Sequence, residues 1–184
     1  MQRTISDYIE DMVHNAVEAG SSLVILEAVE ADGRFGVTVA DNGPGMDDET
    51  KARALDPFGT DPKKHAARKV GLGLPFLMEA LRQTNGVFDL RSEPGTGTSL
   101  HFVFDRGHVD TPPTGDLAST WTALMNFATD RCELSIRRRR GDRSWSVSRS
   151  ELAEAVGELD RAGALSLARA FFRELEMDES GSEV

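Results

Sequence analysis

Asp41-Asn42-Gly43-Pro44-Gly45-Met46 follows an alternating run, Phe35-Gly36-Val37-Thr38-Val39, and cannot continue it. Two glycines flank a proline that has no N–H for a sheet ladder, so a strand ends here and a loop begins. Asp41 is thereby placed at a strand end, followed by backbone with no side chains in the way, where a ligand can approach closely. The same six residues also suit an ordinary tight turn, because Asp-Asn-Gly is common turn chemistry. The flanking sequence has to decide.

Upstream, Ile5, Tyr8, Ile9, Met12, Val13 and Ala16 recur at spacings of three and four, which predicts an amphipathic helix from Ile5 to Ala19 with Thr4 or Ser6 as its cap. Asp11 and Asn15 stand four apart on this helix, so a carboxylate and a carboxamide share one face beside the apolar stripe. Alone, that pair reads as a solvated polar face. Ser22 to Glu30, the turn Ala31-Asp32-Gly33-Arg34 and Phe35 to Val39 then predict a hairpin leading into Asp41.

Downstream, a short helical stretch from Asp47 to Leu55 precedes Pro57-Phe58-Gly59-Thr60-Asp61-Pro62 and a basic segment with Lys63, Lys64, His65, Arg68 and Lys69. Gly71-Leu72-Gly73-Leu74-Pro75 opens another helix, ending near Asn85-Gly86. Unobstructed N–H groups at such a loop-to-helix junction suit a phosphate. No third glycine completes a dinucleotide fingerprint and no Gly-Lys-Ser/Thr of a P-loop occurs, so neither of those folds is supported. Val87 to Ser92 and Thr98 to Phe104 predict two strands joined by Glu93-Pro94-Gly95-Thr96-Gly97.

Taken in order, these pieces resemble the ATP-binding domain of the GHKL superfamily, which includes type II topoisomerases, heat-shock chaperones, histidine kinases and mismatch-repair ATPases. The resemblance runs from about Thr4 to Asp105. Asp11-Met-Val-His-Asn15-Ala-Val-Glu-Ala-Gly20 is similar to the asparagine box, Asp41 to Met46 to the first glycine box, Gly71 to Leu74 to the second, and Gly95 to Phe102 to the last. It implies an α+β fold of the GHKL (Bergerat) type, a two-layer α/β sandwich whose mixed, mostly antiparallel sheet is covered by helices.

The resemblance also implies roles. Asn15 would ligate Mg²⁺ with phosphate oxygens and water completing the octahedron. Asp41 would accept from the adenine amino group, Gly43 belongs to the same box, Gly45 would give the ring room and Met46 would pack on it, while Thr98 supports the adenine contact. Gly71, Leu72, Gly73 and Leu74 would present backbone to the phosphates, Lys69 would add a charge, and Asp47 to Val70 would be a lid. Hydrolytic members carry glutamate where this sequence has Asp11. A carboxylate one methylene shorter is displaced on the order of 1 Å, and such a shift can cost about 10²-fold in rate, so slow hydrolysis or none is expected. Glu10 lies about 100° around the helix and is a poor substitute.

Asp110-Thr-Pro-Pro-Thr-Gly115 breaks all periodicity and divides the chain into a nucleotide-binding domain over residues 1–109, a linker over 110–116, and a small α/β C-terminal extension over 117–184. In the extension, Leu117 to Phe127, Ser150 to Val156 and Ala164 to Leu175 predict helices, and Glu133 to Arg139 with Arg143 to Ser148 a hairpin. Trp121 and Trp145 are read as packing this unit. Arg137 to Arg140 is read as a charged, solvated hairpin edge rather than a nucleic-acid site, and Glu176 to Val184 as a frayed acidic tail.

The chain has 184 residues, one cysteine, and 21 basic against 31 acidic residues for a net charge of −10. That balance argues against gripping nucleic acid or an anionic membrane. The absence of a signal segment and of any disulfide partner for Cys132 point to the cytoplasm, and the four histidines form no metal-spaced set. About 80 residues after the last box leave no room for a topoisomerase-like transducer, and too few residues precede Asp11 for the phosphoacceptor hairpin of a histidine kinase; His14 lies inside the box helix. The expected function is a Mg-dependent ATP-binding switch engaging a protein partner through the extension. Alternatives are a serine-protein kinase of the anti-sigma type and a non-catalytic ATP-gated partner-binding module. The arrangement also resembles small stand-alone ATP-binding proteins associated with iron-hydrogenase systems.

Overall fold

The computed structural model describes residues 3–56, 72–128 and 131–177. In chain order the elements are α1 (Ile5–Glu18), β1 (Leu23–Ala31), β2 (Arg34–Asp41), α2 (Asp48–Leu55), α3 (Gly73–Gln83), β3 (Val87–Glu93), β4 (Gly97–Asp105), α4 (Leu117–Phe127), β5 (Glu133–Arg140), β6 (Arg143–Ser148), α5 (Arg149–Val156) and α6 (Ala162–Glu176). The strands form one sheet in the order β3-β4-β2-β1-β5-β6.

Four of the strand pairs are antiparallel and β1–β5 is parallel, which gives the mixed, mostly antiparallel sheet that the sequence implies. The period-two patterns of the strands put Val24 and Leu26, Phe35 and Val37, Phe102 and Phe104, and Leu134 and Ile136 on one buried face. Onto it pack Ile9 and Val13 of α1, Leu77 and Leu81 of α3, Trp121 and Leu124 of α4, and Phe172 of α6, forming a single apolar core and a two-layer sandwich. The six residues predicted as the stripe of α1 are all buried, and Thr4 closes that helix with a capping box to Asp7.

Residues 110–116 form neither helix nor strand. They lie along the start of α1, where Ile5 N–H donates to the Pro113 carbonyl at 2.9 Å and Ser6 N–H to that of Thr114 at 3.0 Å. Two otherwise orphaned donors of the first helical turn are satisfied this way. Beyond that segment, β5 runs beside β1 with Leu23 opposite Glu133 and Glu30 opposite Arg140, so the sheet continues through the C-terminal residues.

Two readings of the sequence change. The arginine run is not a solvated edge: β5 lies inside the sheet, β6 is the edge, and Arg138 is only 3 % exposed. Its guanidinium pairs with Glu30 at 2.7 Å and Glu176 at 3.3 Å and sits 5.2 Å from the Phe35 ring centroid. Glu176 is not frayed. It closes α6 and accepts from the Trp121 indole N–H at 2.9 Å as well as from Arg138, while residues 178–184 of the expected tail lie outside the described residues. Trp121 and Trp145 do pack together edge-to-face, 6.4 Å apart, with Trp145 also against Phe172.

Candidate functional site

At the end of β2 the Asp41 carboxylate is held through one oxygen. Oδ1 accepts from the Ser21 hydroxyl at 2.9 Å and from the Gly43 N–H at 2.7 Å. A Cβ on Gly43 would lie 2.6 Å from Ser21 Oγ and 2.8 Å from Asp41 Oδ1, so the position admits no side chain while this arrangement stands. Asn42 anchors the same loop on the other side: its amide oxygen accepts from the N–H groups of Ser22 and Leu23 at 3.0 and 2.9 Å.

The rest of the loop is stapled to the β3–β4 turn. Met46 N–H donates to Ser92 Oγ at 2.8 Å, Ser92 Oγ in turn lies 2.9 Å from Thr98 Oγ1, and Gly95 N–H donates to the Pro44 carbonyl at 2.7 Å. Thr98 stands directly opposite Asp41 in the β2–β4 ladder and opposite Ser92 in β3–β4. Gly45 has φ +65° and a Cβ there would come within 1.9 Å of the Glu93 carbonyl oxygen, so backbone packing against this turn accounts for the glycine. Asp41, Leu90, Ser92, Gly97 and Thr98 line a cavity of about 600 Å³, with Lys51 of α2 on its wall.

A second cluster forms where α1 meets α3. Gly73, the first residue of α3, packs on Asp11 so closely that a Cβ would lie 3.1 Å from Oδ2 and 3.2 Å from the Asp11 Cβ. Among the described residues no side chain caps α3, whose N-cap is Leu72, and Pro75 in its first turn has no N–H to satisfy. Asp11 Oδ2 accepts from Arg3 Nη1 at 2.6 Å. Asn15 is exposed one turn along α1, and its carboxamide has no hydrogen-bond partner among the described residues. Glu10 points elsewhere, accepting from Thr120 of α4 at 2.9 Å.

The donor set can be tested against magnesium. Among the described residues no group of three His, Cys, Asp or Glu side chains could hold a metal. One unengaged amide oxygen, Asn15, and no protein cage fit a hard cation that brings most of its oxygen ligands with it as phosphate and water.

Sequence reasoning thus located Asp11, Asn15, Asp41, Gly43, Gly45, Met46, Leu72, Gly73, Leu74 and Thr98 on these two clusters. Lys69, Gly71 and residues 57–70 of the expected lid lie outside the described residues. It missed Ser21, Ser92, Arg3 and Lys51. Isolated serines at strand ends carry no periodic signal, and Arg3 precedes the helix whose face it serves.

A carboxylate-ended strand bonded to a glycine loop, together with a helix that opens on Gly73 against Asp11, fits a domain of the GHKL ATPase type. The match to the family model described as "Histidine kinase-, DNA gyrase B-, and HSP90-like ATPase" spans residues 2–108, and the chain belongs to that family. It is 25 % identical over 122 residues to the tetrathionate sensor histidine kinase TtrS of Salmonella typhimurium, covering 63 % of this chain and 19 % of that protein. It is 35 % identical over 95 residues to the DNA mismatch repair protein MutL of Gemmatimonas aurantiaca, covering 49 % of this chain and 16 % of that one. Among solved structures, full-length ShkA in complex with AMPPNP is similar at a TM-score of 0.43 with 28 % identity, over 53 % of this chain and 20 % of that one. The chain therefore spans less than a fifth of these curated relatives. Among the described residues, no helix is long and apolar enough to cross a membrane.

Proposed function

We propose that this protein binds Mg-ATP and uses nucleotide state as a switch, with slow hydrolysis or none. The observation that carries the reading is the Asp41 carboxylate: Oδ1 is occupied by Ser21 and Gly43, leaving Oδ2 to accept from the adenine amino group. Thr98 and Ser92 support the same edge, and the α3 N-terminus with Leu72, Gly73 and Leu74 offers donors for the phosphates. Lys69 and Gly71 extend that cradle in the proposal. Asn15 would hold magnesium through its side-chain oxygen, and the cation would supply positive charge to the phosphates.

In this reading Asp11 would orient and deprotonate a water, and its short carboxylate supports weak turnover. Phosphate release should fall on Asp11→Asn while nucleotide binding survives; equal rates would remove Asp11 from the mechanism. The switch part rests on packing. α4 lies on α1 through the Thr120–Glu10 hydrogen bond, and the Phe127 ring stacks 3.9 Å from that of His14, next to Asn15. A partner bound through residues 117–177 would thus touch the helix that carries the magnesium ligand. Appearance of γ-phosphate on a partner serine, rather than as free phosphate, would favour the anti-sigma type of kinase instead. The net charge of −10 weighs against nucleic acid and anionic membranes as partners.

Melting the protein with and without ATP and Mg²⁺ tests the central claim, since saturation at 100 times the dissociation constant adds about 2.7 kcal/mol. No shift at millimolar nucleotide would overturn it.

A further inference from the structure

Arg3 lies just ahead of the α1 cap, and three contacts fix its guanidinium. Nη1 donates to Asp11 Oδ2 at 2.6 Å, and the guanidinium carbon lies 5.5 Å from the Tyr8 ring centroid and 5.2 Å from that of Phe76. Phe76 is the fourth residue of α3 and is 46 % exposed, so the arginine reaches from the start of α1 across to the first turn of a helix that no side chain caps among the described residues. One side chain thus joins Asp11, α1 and the α3 N-terminus.

The aromatic contacts and the ion pair play different parts. The rings keep the guanidinium near the α1–α3 junction while leaving it free to turn from one anion to another. The ion pair joins side chains 39 % and 36 % exposed, where water screens the attraction, so it is exchangeable. A terminal phosphate carries more charge than a carboxylate and matches the guanidinium fork with two oxygens. Asp11, by contrast, would meet a terminal phosphate as a like charge unless a cation stood between them.

We propose that Arg3 discriminates nucleoside triphosphate from diphosphate. In the nucleotide-free protein it is held by Asp11; with a triphosphate bound, its guanidinium turns to the terminal phosphate and leaves the Asp11 carboxylate uncovered. A diphosphate ends one group short of the α1–α3 junction and leaves the Arg3–Asp11 pair as it is. The proposal rests on reading the site as an ATP site, and its test separates the two.

The experiment is titration calorimetry of the full chain with a non-hydrolysable ATP analogue and with ADP, both with Mg²⁺, on the wild type and on Arg3→Ala, Asp11→Asn and the double variant. Arg3→Ala should weaken the triphosphate about tenfold or more and ADP by less than about twofold, the loss of a charge-assisted contact made only to the third phosphate. Asp11→Asn removes the competitor, so triphosphate affinity should rise and the Arg3→Ala penalty should be larger in that background. Arg3→Lys, which keeps a charge without the fork, should fall between. Melting without nucleotide monitors folding of each variant. An unchanged triphosphate-to-diphosphate ratio in Arg3→Ala, or strictly additive effects in the double variant, would overturn the role of Arg3 while leaving ATP binding intact. Failure of the wild type to bind either nucleotide would overturn the ATP reading itself.

Discussion

The Ser21 hydroxyl donates to Asp41 Oδ1 at 2.9 Å, joining the residue that precedes β1 to the residue that ends β2. Together with the Gly43 N–H it holds Oδ1, and in the proposed function Oδ2 is the acceptor left for the adenine amino group. Ser21 is only 3 % exposed, so water cannot readily replace its hydroxyl. Ser21→Ala should therefore weaken ATP binding about fivefold, the equivalent of one net hydrogen bond near 1 kcal/mol. Asp41→Ala, which removes both the proposed adenine acceptor and the loop anchor, should abolish binding at micromolar nucleotide. Calorimetry on the two variants checks the ranking; an effect of Ser21→Ala as large as that of Asp41→Ala would mean that the serine does more than orient.

Asn15 is exposed and, among the described residues, its carboxamide has no hydrogen-bond partner, so truncating the side chain should cost little stability and act on the ligand. Asn15→Ala is expected to melt within about 2 °C of the wild type without ligand, as surface substitutions do. It should bind ATP with the weak affinity that the wild type shows in excess EDTA, and added Mg²⁺ should no longer strengthen binding. A magnesium response of wild-type size in the variant would place the cation elsewhere.

The hairpin into Asp41 and the stripe of α1 were legible in the sequence because both are local: alternation, helical spacing and a turn at Asp32-Gly33 each depend on near neighbours. The site was legible only as pieces. That Asp41 and Thr98 face one another follows from the β2–β4 pairing, and that Asp11 meets Gly73 follows from how α1 and α3 cross the sheet, neither of which is written within a ten-residue window. The arginine run was misread for the same reason. The strand beside it, β1, lies more than a hundred residues earlier in the chain, and on the inner strand Arg138 turns into the core while Arg137 and Arg139 stay exposed.

The last glycine box offers a controlled comparison. Gly95 has φ +80° with nothing within 4 Å of an added Cβ, whereas at Gly97, φ +96°, a Cβ would come within 1.9 Å of the Asp41 carbonyl oxygen. Gly95→Ala should cost only the backbone preference, about 1–2 kcal/mol. Gly97→Ala must also push β2 away from β4 beside Asp41, so it should cost clearly more and reduce nucleotide affinity with it. Thermal melting and calorimetry on the pair decide this, and equal losses would show that the turn can shift without disturbing Asp41.

Arg138 is a guanidinium surrounded by core. Glu30 gathers Arg106, Arg138 at 2.7 Å and Arg140 at 3.7 Å, while Glu176 takes both Arg138 and the Trp121 indole. The pair charges are mostly buried, 2 % exposed at Arg138 and 16 % and 15 % at the two glutamates. A network of this kind adds little over an apolar core of the same shape, but removing one member strands the others. Arg138→Ala should accordingly destabilise by about 3–5 kcal/mol, which lowers the melting temperature by roughly 6–20 °C for a chain of this size. Adding Glu176→Gln to Arg138→Ala should recover part of the loss, because the stranded carboxylate becomes a neutral acceptor for Trp121. If the double variant melts lower than Arg138→Ala, the destabilisation comes from the cavity left by the arginine stem against Phe35, not from unpaired charge.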